Sequence, residues 1–201
     1  MIAIIDYDAG NLKSVEKALL QLGEEVIITR DKQQLLNADK VILPGVGHFG
    51  DAMNKLHQYD LVEVVKDIIA KKTPFLGICL GMQMLFEHSE EGGGIEGLSI
   101  LEGEILRIPD NPGIKIPHMG WNSLTIREGS KLYNGISQDS YVYFVHSYYL
   151  KAKNRCDIAA TTHYSTLIDA SVEKDNIFGC QFHPEKCGEV GLKILKNFAS
   201  L

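Results

Sequence analysis

Short apolar runs alternate with amphipathic segments in the amino-terminal part of the chain. Runs at residues 2–6, 26–29, 41–43 and 74–78 have the length and composition of buried strands. Residues 11–22 and 61–68 repeat apolar side chains at helical spacing, and a short helix is expected between residues 29 and 41. Strands that alternate with helices in this way form a parallel sheet with helices on its faces.

The pattern changes to strands and turns after about residue 98. Strands are predicted at residues 100–108, 123–126, 141–150, 158–162, 167–174 and 177–182, followed by a final helix at 189–201. The sequence shows no repeats or low-complexity linkers. We therefore expect one α/β domain over residues 1–201, with a largely parallel mixed sheet flanked by helices and a smaller antiparallel portion in the carboxyl-terminal half.

The segment GICLGMQ, residues 77–83, places one cysteine between two glycines where a strand is expected to meet a helix predicted at residues 82–87. Such a turn holds a nucleophile in a strained conformation, and glycines on both flanks make room for it. A helix that begins just after Cys79 would also favour the thiolate. A lone cysteine in an apolar strand is usually a packing residue, but Gly77 and Gly81 favour the nucleophile.

A thiol nucleophile needs a base and a group that orients the base. His183 and Glu185, in the segment QFHPEK, are two residues apart, so an extended chain would point both side chains the same way. The pattern predicts His183 as base and Glu185 as its partner. By itself HPE is also typical of a surface turn.

Acyl chemistry requires N–H donors for the oxyanion that develops in the transition state. The residue after the nucleophile, Leu80, is one candidate. The loop PGVG, with Gly45, Val46 and Gly47, follows the strand at residues 41–43 and should open at the same sheet edge. The alternative is that PGVG is only a turn that ends the strand.

Composition and charge exclude several classes of protein. The net charge of -6 argues against a nucleic-acid partner. We find no segment long and apolar enough to span a bilayer and no signal peptide, so a cytoplasmic protein without membrane contacts is expected. The cysteines, Cys79, Cys156, Cys180 and Cys187, lack the spacing of a metal site or a disulfide framework, and Cys180 is predicted to lie in the core.

The order Cys79, His183, Glu185, with PGVG upstream and GMQ after the cysteine, resembles the class I glutamine amidotransferase family. Longer stretches, IAIIDYDAGNLKSV, LPGVGHFGDAM, PHMGWN and YFVHSYY, narrow the resemblance to the glutaminase subunits of imidazole glycerol phosphate synthases. The resemblance covers essentially the whole chain. It implies that Cys79 attacks the side-chain amide of glutamine, that His183 is general base and then acid, and that Glu185 orients it. It implies no cofactor and no metal.

The resemblance also implies a set of glutamine-binding residues, namely Gln83, Glu91, Ser147 and Tyr148. Their chemistry agrees, because Glu91 offers a carboxylate to the substrate ammonium and the Ser147 region offers donors to the substrate carboxylate. Without the resemblance, EHSEEGGG would be read as a solvated acidic loop. Cys187 departs from the family, where serine is expected after HPEK, and offers a redox-sensitive thiol near the site.

The glutaminase pattern covers all 201 residues, so we expect the enzyme that uses the ammonia to lie on another polypeptide. By resemblance this partner is the cyclase subunit, a (β/α)8 barrel, in a heterodimer that makes imidazole glycerol phosphate and AICAR in histidine biosynthesis. Interface candidates are Asn11, Met119, Trp121 and Lys186. Trp121 could instead be a packing tryptophan in the core or a loop.

The sequence is consistent with three further hypotheses. Gly45 permits a peptide flip, so the N–H of Val46 could be misplaced as oxyanion donor until the partner and its ligand bind. The chain could alternatively serve another synthase, such as those of the anthranilate, purine or pyridoxal phosphate pathways. It could also be a non-catalytic binding module of the same fold, which the intact set of Cys79, His183 and Glu185 argues against.

Overall fold

An eight-stranded mixed sheet runs through the computed structural model, which describes residues 1–201. The strands and helices in chain order are β1 (Ile2–Ile5), α1 (Leu12–Gln21), β2 (Val26–Thr29), α2 (Lys32–Leu36), β3 (Lys40–Gly45), α3 (Phe49–Gln58), α4 (Val62–Ala70), β4 (Phe75–Cys79), α5 (Leu80–Gln83), β5 (His88–Ser89), β6 (Ile95–Glu96), β7 (Gly103–Arg107), β8 (His118–Ser123), β9 (Thr125–Ile126), β10 (Tyr141–His146), β11 (Tyr148–Ala152), β12 (Ile158–Tyr164), β13 (Thr166–Lys174), β14 (Ile177–Cys180) and α6 (Gly188–Ala199).

The main sheet has the order β2-β1-β3-β4-β14-β13-β12-β9. Neighbours from β2 to β14 are parallel, and those from β14 to β9 are antiparallel. The predicted α/β class with a largely parallel mixed sheet is confirmed. No helix is long and apolar enough to cross a membrane.

Helices cover both faces of the sheet because the strands β1, β4 and β14 are buried at every position. On β1, Ile2 and Ile4 belong to the core that includes Val15 of α1 and Phe198 of α6. The alternate residues of the same strand belong to the core shared with α3 and α4. This two-sided burial is what the continuous apolar runs predicted.

Two smaller sheets lie beside the main one, with the orders β10-β8 and β11-β7-β5-β6. The single strand predicted at residues 141–150 is wrong, because the chain breaks at Ser147 and passes from one small sheet to the other. The strand predicted at 123–126 is likewise divided, and most of β8 was not predicted. Periodicity reports which residues are buried, but it does not report a change of sheet.

The region around the elbow differs from the prediction in two ways. The structure adds α3, whose buried residues Phe49, Met53 and Leu56 have helical spacing that the sequence analysis did not use. The helix predicted at 82–87 is instead the single turn α5. It ends early because N–H groups of the following loop, those of Leu98 and Leu101, take the carbonyls of residues 84 and 85.

Candidate active site

Cys79 lies at the end of β4 with φ 54° and ψ −113°, and its residue surface is 7% exposed. A left-handed conformation is costly for a side chain with a Cβ and marks a constrained position. The glycines on either side give it room. A Cβ at Gly81 would lie 1.8 Å from the carbonyl oxygen of Leu43, and one at Gly77 would lie 2.7 Å from the backbone N of Met82.

The predicted strained elbow is therefore present. The helix that follows it has only four residues, so the dipole expected of a longer helix is reduced to that of a single turn. The register places Gly45 of β3 opposite Cys79 and Ile78 of β4 opposite Cys180. The carboxyl ends of three parallel strands thus meet at the elbow, as expected for a site in an open sheet.

His183 and Glu185 form a hydrogen-bonded pair, with 2.9 Å between Nδ1 and Oε1. The expected extended spacer is wrong, because residues 184–186 form one 3-10 turn that starts at Pro184. The side chain of Glu185 is fully buried, and its other oxygen, Oε2, has no hydrogen-bond partner in the chain. The imidazole of His183 is therefore the group on which the negative charge of this carboxylate acts.

The electrostatics of His183 depend on both neighbours. Burial disfavours the charged imidazolium, but Cys79 and Glu185 outweigh it and raise the pKa of His183 to about 9. An imidazolium beside a sulfur anion is the charge state in which a cysteine acts as a nucleophile. Cys79 and His183 both line one cavity of about 310 Å³.

The four predicted substrate residues line the same cavity: Gln83, Glu91, Ser147 and Tyr148. Glu91 accepts a hydrogen bond of 2.7 Å from the N–H of Phe49, the first residue of α3, through one carboxylate oxygen. A zwitterion could therefore meet both a carboxylate and hydroxyl or N–H donors here. A larger cavity of about 630 Å³, between residues 126–138 and the end of α6, contains none of the predicted site residues.

Three of the four predicted oxyanion residues, Val46, Gly47 and Leu80, line the cavity, and Gly45 does not. The N–H groups of Val46 and Gly47 donate to no other backbone group of the chain. Gly47 holds φ +96°, whereas Gly45 is required by close packing, since a Cβ there would lie 2.7 Å from the N of Gly81. The peptide flip at Gly45 stays a prediction.

Sequence reasoning missed three buried polar side chains behind the cavity, those of Gln181, His146 and His118. Gln181 is 0% exposed, and its Nε2 lies 3.6 Å from Sγ of Cys79. His146 lines the cavity and contacts His118, with 3.0 Å between Nε2 and Nδ1. A glutamine inside the apolar run FGCQF was the signal available, because a buried amide needs partners.

The four interface candidates occupy different environments. Met119 and Trp121 on β8 are 62% and 56% exposed, Lys186 is exposed, and Asn11 is half-buried at the start of α1. Trp121 packs edge-on against Tyr143, with ring centroids 6.0 Å apart. The alternative of a core tryptophan is wrong.

The remaining cysteines behave differently from one another. Cys180 is buried in the core, which confirms the prediction. Sγ of Cys187 donates to the carbonyl of His183 at 3.0 Å, and burial raises the pKa of this thiol to about 12. Because the thiolate is the reactive form, the idea of a redox-sensitive Cys187 is not supported. No group of three or more His, Cys, Asp or Glu side chains is placed to hold a metal ion.

Comparison with known proteins identifies relatives of this chain. The family model Glutamine amidotransferase class-I matches residues 3–200. The imidazole glycerol phosphate synthase subunit HisH of Caldanaerobacter subterraneus subsp. tengcongensis is 53% identical over 201 residues, covering 100% of this chain and 98% of that protein. The protein of the same name from Methanocaldococcus jannaschii is 50% identical, covering 100% of both.

Solved structures show the same fold at much lower identity. PurLQS from Thermotoga maritima matches with a TM-score of 0.74 at 18% identity, covering 99% of this chain and 97% of that chain. The glutaminase domain of CTPS from Trypanosoma brucei matches with a TM-score of 0.68 at 19% identity, covering 99% and 93%.

Proposed function

This chain belongs to the class I glutamine amidotransferase family, and on that premise we propose that it is the glutaminase subunit of an imidazole glycerol phosphate synthase. It hydrolyses L-glutamine to glutamate and ammonia for histidine biosynthesis in the cytoplasm, with residues 1–201 as one amidotransferase domain. The observation that carries this is similarity along the full chain to two HisH proteins, together with a cysteine in a strained elbow beside a His–Glu pair.

The first half of the reaction forms a thioester. Sγ of Cys79 attacks the amide carbon of glutamine, and the carbonyl oxygen takes the negative charge. N–H groups of Leu80 and Val46 are the proposed donors to that oxygen, each worth about a hundred- to a thousandfold in rate. The imidazolium of His183 then gives its proton to the leaving nitrogen, the C–N bond breaks, and ammonia departs.

The second half removes the acyl group. Neutral His183 takes a proton from water, the hydroxide attacks the thioester carbon, and the C–S bond breaks to give glutamate and restore the sulfur anion. Glu185 keeps Nδ1 protonated through its 2.9 Å hydrogen bond, so Nε2 is the nitrogen that exchanges protons. Its buried carboxylate also stabilises the imidazolium.

The cavity residues give glutamine a fixed orientation. Glu91 is the proposed partner of the substrate ammonium, because one of its oxygens is held by Phe49 and the other is left for the ligand. Gln83 uses Nε2 for hydrogen bonds to Tyr148 O and Gln181 Oε1, which leaves its own Oε1 for a substrate donor. Ser147 and Tyr148 line the same cavity.

The ammonia requires a docked acceptor, because free ammonia at neutral pH is mostly protonated and loses its nucleophilicity. We assign this role to a cyclase subunit, a (β/α)8 barrel in a heterodimer, that makes imidazole glycerol phosphate and AICAR. Exposed Met119 and Trp121 on β8, next to β10 and the cavity residue Val145, support a docking face there, with Asn11 and Lys186 as further contacts.

Glutamate release by the purified chain, with and without the cyclase subunit and its nucleotide ligand, tests the proposal. We expect slow turnover by the chain alone, a strong rise in the complete mixture, and no turnover by Cys79→Ala. Cyclase that leaves the rate unchanged, while an anthranilate, purine or pyridoxal phosphate synthase raises it, would assign the chain to another pathway. A glutamine-like electrophile that never modifies Cys79 would point instead to a non-catalytic module.

A further inference from the structure

The side chain of Gln181 has no part in the mechanism above, although it touches the reacting sulfur. Gln181 follows β14, and its backbone N–H donates to Ala170 O at 2.9 Å. The residue is 0% exposed, and Nε2 approaches Sγ of Cys79 at 3.6 Å. His183 is the other side chain that interacts with this sulfur. An amide is neutral, so its effect depends on which end faces the sulfur.

The orientation of the amide follows from a single fixed acceptor. Tyr148 O is a carbonyl and can only accept, so the atom of Gln83 that lies 3.0 Å from it must be Nε2. The second hydrogen of the same Nε2 points at Gln181 at 2.8 Å, which must therefore present Oε1. Nε2 of Gln181 is then the end that faces Cys79, and the N–H donates to sulfur.

The carbonyl of Tyr148 also fixes which ring nitrogens of His146 and His118 carry protons. His146 Nδ1 lies 2.8 Å from Tyr148 O, so Nδ1 carries a proton and Nε2 accepts. His118 Nδ1 must then donate to that Nε2 across 3.0 Å. Burial lowers the pKa of His146 to about 3 and that of His118 to about 4, so both rings are neutral at physiological pH and each has the required tautomer.

We propose that Gln181 is a catalytic residue whose Nε2 donates a hydrogen bond to the sulfur of Cys79, stabilising the thiolate and aiming it at the substrate carbon. Tyr148 O, acting through Gln83, keeps the donor end of the amide turned toward the sulfur. The proposal deepens the proposed function, because it concerns the same nucleophile. No proton or electron is transferred to Gln181 in any step.

The groups that face the sulfur come from three segments of the chain. Gln181 and Cys180 come from β14 and the residue after it, His183 from the turn that follows, and Tyr7 from the loop after β1. Tyr7 donates its hydroxyl hydrogen to Pro44 O, and Cys180 is fully buried in the core. His183 and Gln181 are therefore the two groups that can stabilise a negative sulfur.

Alkylation of Cys79 by iodoacetamide, followed by mass spectrometry across a pH series, measures the thiolate directly. A Cys156→Ser background removes the exposed cysteine, and the other two thiols are buried. In Gln181→Met, which has similar length and no donor, we expect the midpoint of reactivity to rise by about half to one pH unit. With glutamine, kcat should fall about tenfold with little change in KM.

Gln33→Met, on the exposed face of α2, is the matched control and should keep the wild-type midpoint. A folded Gln181→Met protein with an unchanged midpoint would overturn the proposal. If that variant does not fold by circular dichroism, the isosteric Gln181→Glu decides. A carboxylate facing the sulfur should raise the midpoint by about one unit or more, and no rise overturns the proposal.

The two proposals can fail separately. Alkylation requires no glutamine, so a shifted midpoint in a protein that never hydrolyses glutamine would reject the proposed function and support the role of Gln181. Normal glutamine turnover with an unshifted midpoint would support the function and reject the role of Gln181.

Discussion

His183 Nδ1 and Glu185 Oε1 lie 2.9 Å apart across a single 3-10 turn, and the carboxylate is fully buried. The turn brings the two side chains together because Pro184 begins it with a φ suited to a helix. Since Oε2 of Glu185 has no partner, the histidine is the only group of the chain that compensates its charge by a hydrogen bond.

Replacement of Glu185 should therefore weaken catalysis without removing the nucleophile. For Glu185→Ala we expect kcat for glutamine hydrolysis to fall by about a hundred- to ten-thousandfold and to stay above that of Cys79→Ala. Loss of the carboxylate removes one of the two groups that raise the pKa of His183 to about 9, so the high-pH limb of kcat/KM should move to lower pH. An unchanged pH profile would contradict this assignment.

Acid should destabilise the protein through the buried histidine pair. In the folded state His118 and His146 stay neutral down to about pH 4 and about pH 3, whereas histidines of the unfolded chain protonate near pH 6.5. The unfolded state binds more protons as pH falls through this window, so the free energy of unfolding should decrease from pH 6.5 to pH 4.

Urea unfolding at several pH values measures that slope, and His118→Gln isolates the contribution of the pair. The variant removes one titrating group, so the pH dependence of its stability should be shallower than that of the wild type over the same range. Parallel curves for the two proteins would show that the pair does not titrate as described.

Gly81 should tolerate no side chain. A Cβ would lie 1.8 Å from the carbonyl oxygen of Leu43. The backbones of both residues are packed in the core, so neither can shift without a large cost in free energy. Gly81→Ala is expected to lower the free energy of unfolding by about 3 kcal/mol or more, or to prevent folding.

Gly93→Ala is the matched control for that substitution. Gly93 has φ +94° and no atom within 4 Å of the added Cβ, so it carries backbone strain without a clash. A loss of about 1–2 kcal/mol is expected. Equal losses at positions 81 and 93 in urea unfolding would show that the close approach to Leu43 is not what requires glycine.

Trp121 should contribute to binding of the cyclase subunit and not to hydrolysis by the isolated chain. It is 56% exposed and held by Tyr143, as is typical of an anchor residue at an interface. Trp121→Ala is expected to raise the Kd of the complex about thirtyfold in calorimetric titration. Leu167→Ala, 54% exposed on β13, is the control and should leave Kd unchanged. Equal effects of the two would contradict a specific docking face on β8.

The sequence predicted a structural feature correctly wherever the residues that cause it lie in the same short segment of the chain. The paired glycines at 77 and 81 predicted the elbow because they flank Cys79 in one short segment, although the atom that excludes a side chain at Gly81 belongs to Leu43 of β3. The parallel strands were predicted because burial on both faces leaves a continuous apolar run. The pairing of His183 with Glu185 was also foreseen, although the turn that achieves it was not.

Local sequence was insufficient where a segment ends because of distant partners. The helix after Cys79 stops after one turn since N–H groups from residues 98 and 101 occupy the carbonyls of residues 84 and 85, which directly follow it. The strand predicted across Ser147 divides because its two halves pair with β8 and β7, in different sheets. The hydrophobic periodicity of the sequence reports neither of these long-range contacts.

The sequence by itself determined the class of fold, the position of the strained elbow that holds the proposed nucleophile, and the likeness to glutaminases. Only the tertiary structure decided how the buried polar side chains are oriented, because Gln83 and Gln181 are 98 positions apart and meet through β4 and β14. Apolar contacts have no preferred direction, and the residues that make them recur at regular spacing along the sequence. A hydrogen bond needs a particular partner at a particular angle, and that partner is chosen by the fold.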